Sequence, residues 1–255
     1  MPTWLDPMVV GGLFGVGVLA GYLNVVAGGG SLIAVPMLIF LGLPEGVANA
    51  TSRLAILMQS TTAIARYRGA GKLDFALSRL LVPPTLIGAL LGAYAATRVS
   101  DALFRSILAW VMIACAAVVV AEPLLFRGRT SGVDGAKLGV VRVWLTMLAV
   151  GFYGGMVQAG MGYVILAGLT LALGLRLSDA NVMKVVLVFA YTPLALGVFI
   201  WNDMVHWQFG ILLSIGQALG GWLGASHALR RGEGFVRALL AAVVLLTATK
   251  LLVFS

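Results

Sequence analysis

Residues 25–36 read "VVAGGGSLIAVP". Three consecutive glycines stand inside an apolar stretch, and Pro36 follows shortly after Gly30. Each glycine costs a helix interior about 1 kcal/mol relative to alanine, and a proline removes a backbone donor. A chain that needed only to cross a bilayer would gain nothing from its poorest helix formers here.

The surrounding composition explains why this matters. Of 255 residues, 61% are hydrophobic and 10% charged, with a mean hydropathy of +1.04. A soluble domain carries roughly 25% charged residues. Long uncharged runs recur, as in "ILAWVMIACAAVVVA" (107–121) and "ALLAAVVLLTA" (238–248). These runs describe an all-α polytopic membrane protein in a lipid bilayer. The net charge of +8 fits basic cytoplasmic loops rather than a nucleic-acid partner. Cys115 stands alone, so neither a disulfide framework nor a cysteine metal site is expected. The opening "MPTWLDP" has no basic n-region, and no cleavable signal peptide is expected. No soluble domain is read at either end.

Ten apolar segments follow: 7–27, 31–43, 47–66, 77–97, 105–122, 138–158, 163–174, 180–201, 207–229 and 235–254. Most are long enough for a hydrocarbon core of about 30 Å. The second and seventh are too short, and each follows a glycine cluster, "AGGGS" (27–31) and "AGMGY" (159–163). One constant shift in numbering lays Ala27-Gly28-Gly29-Gly30 on Ala159-Gly160-Met161-Gly162 and Ala48-Asn49 on Ala180-Asn181. The same shift lays Asp74-Phe75 on His206-Trp207, and Gly88 and Gly92 on Gly220 and Gly224. The chain therefore reads as two repeats, 1–125 and 138–255, joined by the polar linker "FRGRTSGVDGAK" (126–137).

Charge sets their relative orientation. The 66–79 loop holds Arg66, Arg68, Lys72 and Arg79, whereas its counterpart "WNDMVHW" (201–207) has no Lys or Arg. If the chain changes sides at every segment, one side also collects Arg127, Arg129, Lys137, Arg142, Arg176, Arg230, Arg231 and Arg237. The other side keeps Arg98, Arg105 and Lys250. The positive-inside rule makes the first side cytoplasmic and puts both termini outside. Five segments per half is an odd number, so the halves are expected to be inverted repeats.

Inverted repeats with paired short, glycine-interrupted segments are the sequence mark of transporters built on broken helices. Gly28, Gly29 and Gly30 are expected to leave backbone N–H groups unpaired, and a helix starting at Ser31 points its positive end into that opening, where an anion binds. The competing reading is close helix packing, which suits Gly17/Gly21, Gly88/Gly92, Gly151/Gly155 and Gly220/Gly224.

The stretches "GYLNVVAGGGSLIAVPML" (21–38), "GVANATSRLAI" (46–56) and "RYRGAGKLDF" (66–75) resemble the sulfite exporter TauE/SafE family. The resemblance implies a carrier of the bacterial inner membrane that exports sulfite, sulfoacetate or a related small anion. The second copy departs from it, with "AGMGY" for a full glycine run and "ANVMKVV" (180–186) for the alanine-threonine-serine stretch.

The ionisable residues bear on the substrate. All nine acids lie at segment ends or in loops, whereas Arg53 and Lys184 lie about a turn inside helices. Lys184 falls on Ser52 under the shift, so two cations occupy near-equivalent places. Either they serve a site, or they snorkel to the interface. Asn49, Thr51, Ser52 and Asn181 add donors on the same turns, and Asn24, Gln158 and Tyr163 flank the glycine clusters. The expected substrate-binding set is thus Asn24, Gly28, Gly29, Gly30, Ser31, Asn49, Thr51, Ser52, Arg53, Gln158, Gly160, Gly162, Tyr163, Asn181 and Lys184. Tyr153, Tyr191, Gln59 and Gln217 read as polar contacts between helices. His206 and the tryptophans Trp4, Trp201 and Trp207 read as interfacial residues, and His227 as a weaker titratable candidate.

No cofactor, metal or enzymatic activity is expected, since no buried carboxylates, His/Cys clusters or nucleophile sets occur. The alternatives are a carrier for another small solute, such as a carboxylate, or a non-transport assembly protein. Self-association stays open.

Overall fold

The computed structural model describes residues 6–107, 109–110 and 139–253, with side chains as far as Arg231. Trp4, Cys115, the linker and the fifth segment beyond residue 110 lie outside the described residues. The helices are α1 Pro7–Val26, α2 Ser31–Phe40, α3 Glu45–Gly69, α4 Phe75–Ala96, α5 Val140–Met156, α6 Met161–Ala167, α7 Leu177–Trp201 and α8 Trp207–Val253. Helix α6 widens into a π turn at Gly168–Ala172, and residues 101–107 are also helical. No strand occurs among the described residues.

Local chemistry sets the helix starts. Asp6 accepts the N–H of Met8 at 2.9 Å and Pro7 opens α1, which suits a proline whose missing donor would be unpaired anyway. Asp74 accepts the N–H of Leu77 at 2.8 Å ahead of α4. His206 does the same ahead of α8, its Nδ1 accepting from Phe209 N–H at 3.4 Å. These two caps occupy equivalent places under the shift that lays Gly28 on Gly160. Helices α3 and α7 share both bounds under that shift, and α4 and α8 share their first residue. The left-handed backbone positions pair the same way: Gly28 (φ 84°) with Gly160 (69°), Gly42 (96°) with Gly174 (72°), and Gly71 (64°) with Asp203 (53°). An aspartate tolerates that region better than most side chains.

The halves interlock. Helix α1 lies along α8, with a Cβ at Gly17 falling 2.8 Å from the Leu213 carbonyl oxygen. Helix α4 lies along α5, where a Cβ at Gly151 would stand 2.9 Å from Thr85 Cα. The four glycine pairs expected to serve packing do so: Gly17, Gly21, Gly88, Gly92, Gly151, Gly155, Gly220 and Gly224 each face the backbone of a neighbouring helix. Helices α3 and α7 run antiparallel, with Arg53 beneath Phe199 and Tyr67 beside Asn181.

Two features depart from the sequence reading. The ninth and tenth segments are one continuous helix, Trp207–Val253. Gly232 and Gly234 weaken it, but without a proline there is no obligatory loss of a backbone bond. Within it, Trp207–Arg231 joins α1, α4 and α7 as long and apolar enough to span a bilayer. Helix α3 does not join them, although 47–66 reads as a spanning segment. It carries Asn49, Thr51, Ser52, Arg53, Gln59 and Ser60, all buried. Such a helix is tolerated only inside a sheath of other helices, which α7 and α8 supply.

Candidate functional site

The two glycine clusters meet backbone to backbone. A Cβ on Gly28 would stand 2.8 Å from Gly162 Cα, and one on Gly162 would overlap the Gly28 backbone. Only glycine permits this approach, and the positive φ at Gly28 and Gly160 adds a second reason. Ser31 joins the crossing, its Oγ accepting the Gly160 N–H at 3.0 Å. The Tyr163 hydroxyl closes on Gly29, and a Cβ on Gly30 would collide with Ala20 of α1.

The expectation of free N–H groups across the whole first cluster needs correcting. Gly28 N–H bonds back to Leu23 O at 2.9 Å and Asn24 O at 3.0 Å. It closes the last turn of α1, as a left-handed residue after a helix commonly does. The N–H groups of Gly29, Gly30 and Ser31 have no backbone acceptor among the described residues.

Arg53 and Lys184 do not snorkel; both are buried, at 0% and 2% exposure. Arg53 Nη1 donates to Gly154 O at 2.9 Å and to Gln158 Oε1 at 3.0 Å, and Nη2 to Gly155 O at 2.6 Å. Its guanidinium also stacks 4.8 Å from the Phe199 ring centre, a favourable cation–π placement. Lys184 Nζ donates to Asn24 O and Val25 O, both at 3.0 Å, and to Asn181 Oδ1 at 2.8 Å. Each cation therefore caps the carbonyl end of the broken helix in the opposite half. Helix C-termini carry roughly half a negative charge and exposed carbonyls, which a cation satisfies. Asn49 completes the α5 end, donating to Met156 O at 3.1 Å and accepting from Gln158 N–H at 3.0 Å. Asn24 and Met156, whose carbonyls are held in this way, are again equivalent under the shift.

The remaining residues of the expected set divide. Gln158 is central: it accepts from Arg53 and places Nε2 3.2 Å from the Tyr191 hydroxyl. Asn181 orients Lys184 and reaches Tyr67 at 3.5 Å. Asn24, 9% exposed, joins through its backbone carbonyl, which accepts from Lys184, rather than through its carboxamide. Thr51 and Ser52 do not join the crossing. Thr51 Oγ1 accepts the His206 N–H at 3.0 Å, fixing the entry to α8, and Ser52 Oγ donates to Asn49 O at 2.9 Å within its own helix. Two residues not in the set belong to the network: Tyr191, and Tyr153, whose hydroxyl donates to Ala159 O at 2.6 Å. The repeat held a signal for Tyr191, since the shift pairs it with Gln59, another polar group in mid-helix.

A crossing of two broken helices, clamped by one cation from each half, is transporter architecture. A family model described as Sulfite exporter TauE/SafE matches residues 13–251. The chain belongs to that family. TauE/SafE membership makes it a multi-pass membrane transporter. Its relatives include a probable membrane transporter protein ORF9 of Sinorhizobium sp, 29% identical over 94% of this chain and 91% of that protein. The probable membrane transporter protein YfcA of Escherichia coli K12 is 27% identical over 97% of this chain and 91% of its own. A probable membrane transporter protein of Haemophilus influenzae is 25% identical, covering 88% of this TauE/SafE chain and 87% of its own. No solved structure matches the chain.

Proposed function

We propose that this TauE/SafE protein exports a small anion, sulfite or an organosulfonate, across the bacterial inner membrane through the crossing of its two halves. The observation that carries the reading is the charge balance of the interior. Arg53 and Lys184 are buried, each against a helix end worth roughly half a negative charge. The carboxylates whose side chains are described, Asp6, Glu45, Asp74, Asp101, Asp179 and Asp203, all stand at helix ends, whereas Glu233, expected at a segment end, falls inside the continuous α8. The crossing is thus net positive, and Arg53 Nε has no hydrogen-bond partner among the described residues. With the unused N–H groups of Gly29, Gly30 and Ser31, it offers an oxyanion both donors and charge.

The halves, 1–125 and 138–255, act as inverted repeats in this reading. The antiparallel course of α3 and α7 supports it, as does the asymmetry of loop charge. In a Cys115→Ser background, Lys72→Cys is expected to react with an impermeant maleimide only from the cytoplasmic face. Asp203→Cys, in the equivalent loop, is expected to react only from the periplasmic face. Reaction of both from one side refutes inversion.

Energy coupling follows from the same charges. With no mid-membrane carboxylate among the residues whose side chains are described to bind a proton or sodium ion, the membrane potential is the natural drive. Moving one negative charge outward across 100 mV, inside negative, releases about 2.3 kcal/mol. That sustains roughly a fifty-fold gradient, since about 1.4 kcal/mol is tenfold. In proteoliposomes, labelled sulfite flux is expected to follow an imposed potassium-diffusion potential without sodium or a pH gradient. Flux that ignores the potential and tracks a proton gradient refutes electrogenic export.

A further inference from the structure

Two helix groups related by the repeat, α1 with α3 and α8, and α5 with α7 and α4, differ in chemistry at three equivalent positions. Under the shift, Gln59, Ser60 and Gln217 correspond to Tyr191, Thr192 and Thr85. The second group is fully bonded. The Tyr191 hydroxyl meets Gln158 Nε2 at 3.2 Å, Thr192 donates to Val188 O at 2.6 Å, and Thr85 donates to Leu81 O at 2.7 Å. The first group is not. Gln59, Ser60 and Gln217 are 3%, 1% and 1% exposed. Gln59 Oε1, Ser60 Oγ and Gln217 Oε1 have no hydrogen-bond partner among the described residues. Buried polar groups are almost always bonded, and three exceptions on neighbouring helices require a reason.

The three residues lie within about a turn of one another along the contact of α3 and α8. Helices α3 and α8 run side by side there, with Thr62 Oγ1 donating to Ala218 O at 2.8 Å and a Cβ on Gly221 falling 3.0 Å from Gln59 Cα. Gln217 is one turn before Gly221, and its own Cα would stand 2.8 Å from a Cβ on Gly21 of α1. They gather where α1, α3 and α8 meet, within two turns of the α1 end that Lys184 caps.

We infer that Gln59, Ser60 and Gln217 form a neutral subsite for the transported anion beside the crossing, where α1, α3 and α8 meet. This rests on the anion reading above. A carboxamide can turn either its N–H₂ or its carbonyl toward a ligand, and a serine hydroxyl rotates freely. The set therefore offers donors without charge. That is what a passing anion needs beside a cationic centre: enough bonding to enter, and no second charge to trap it. The interior charge decides against a cation, since the buried helices hold Arg53 and Lys184 and, among the residues whose side chains are described, no carboxylate away from their ends.

The test uses the full-length protein in proteoliposomes and in detergent. Gln59→Leu and Gln217→Leu, singly and together, are expected to raise the KM for labelled sulfite roughly tenfold, the loss of about one hydrogen bond. Their Tm is expected to stay level or rise, because each removes a buried carbonyl that has no bond to lose. Gln59→Glu is expected to cut flux more than Gln59→Leu, by repelling the anion. An unchanged KM in the leucine variants overturns the subsite while leaving anion export standing. A fall in Tm alongside flux shows a structural role and overturns it as well. Sodium-dependent flux that Gln59→Glu enhances assigns the three residues to a cation and also overturns it. Absence of sulfite flux in the unsubstituted protein overturns the anion reading itself, and the subsite with it.

Discussion

Arg53→Met is expected to destabilise the protein by about 3–5 kcal/mol, enough to unfold much of it in detergent on heating to temperatures the unsubstituted protein withstands. Methionine replaces the aliphatic stem but none of the donors. The carbonyls of Gly154 and Gly155 and the amide oxygen of Gln158 are then left in a dry interior. Each stranded acceptor costs about 1–3 kcal/mol, and the helix end loses its compensating charge. Arg53→Lys is expected to recover part of the loss, since one ammonium supplies the charge but not the planar fork that reaches Gly154 and Gly155 together. Lys184→Met strands Asn24 O and Val25 O in the same way. The surface pair is the control. Arg105 bonds Glu45 at 2.6 Å but its side chain is 73% exposed, so Arg105→Met is expected to cost at most about 1 kcal/mol. Thermal unfolding followed by tryptophan fluorescence ranks the four variants. Equal losses for Arg53→Met and Arg105→Met would dismiss the clamp.

Much of this fold is legible because a bilayer leaves the chain few choices. Apolar runs must be helices, and the residues that end them are glycines with positive φ or charged loops. The repeat, read from paired glycines and from Ala48-Asn49 on Ala180-Asn181, returns in α3 and α7 at both ends and in the left-handed residues. The partners of Arg53 and Lys184 are not legible in the same way. Their acceptors are backbone carbonyls far along the chain, in the opposite half, and a carbonyl has no sequence signature. Sequence alone states that an intramembrane charge needs a partner, and leaves a substrate site and snorkelling as the candidates without pointing to a helix end.

Helical geometry does sort Thr51 and Ser52 from their neighbours. Asn49 and Arg53 are four apart and share a face, whereas Thr51, two from each, points away from it, and Ser52, three from Asn49, is near enough to bond back to its carbonyl. The structure follows that rule: Asn49 and Arg53 both hold the end of α5, while Thr51 turns to His206 and Ser52 to its own helix. Helix α3 shows a further limit. Its segment reads as one more span from its apolar residues, but a helix enclosed by protein carries polar groups on faces that a lipid-facing one cannot.

Gly28→Val is expected to leave no folded protein, and the reason can be separated into two costs. The first is backbone conformation. Gly28 sits at φ 84°, where an L-residue pays about 1–2 kcal/mol and a β-branched one more. The second is space. The Gly162 backbone lies 2.8 Å from the added Cβ, and two backbones cannot part without opening the crossing that the whole fold is built around. Overpacking a well-filled site costs about 1–3 kcal/mol even when side chains can shift, and here the obstacle is main chain. Gly71 isolates the first cost. It has φ 64° but nothing within 4 Å of an added Cβ, so Gly71→Val is expected to lose only the conformational part. Gly162→Val isolates the second, since its φ is not in the left-handed region yet its Cβ meets the Gly28 backbone. The expected order of damage is Gly28→Val above Gly162→Val above Gly71→Val, read as yield of monodisperse protein and as Tm. If Gly71→Val proves as harmful as Gly28→Val, conformation alone explains the glycine and the backbone crossing contributes nothing. If Gly162→Val is harmless, the two clusters do not touch in the folded protein.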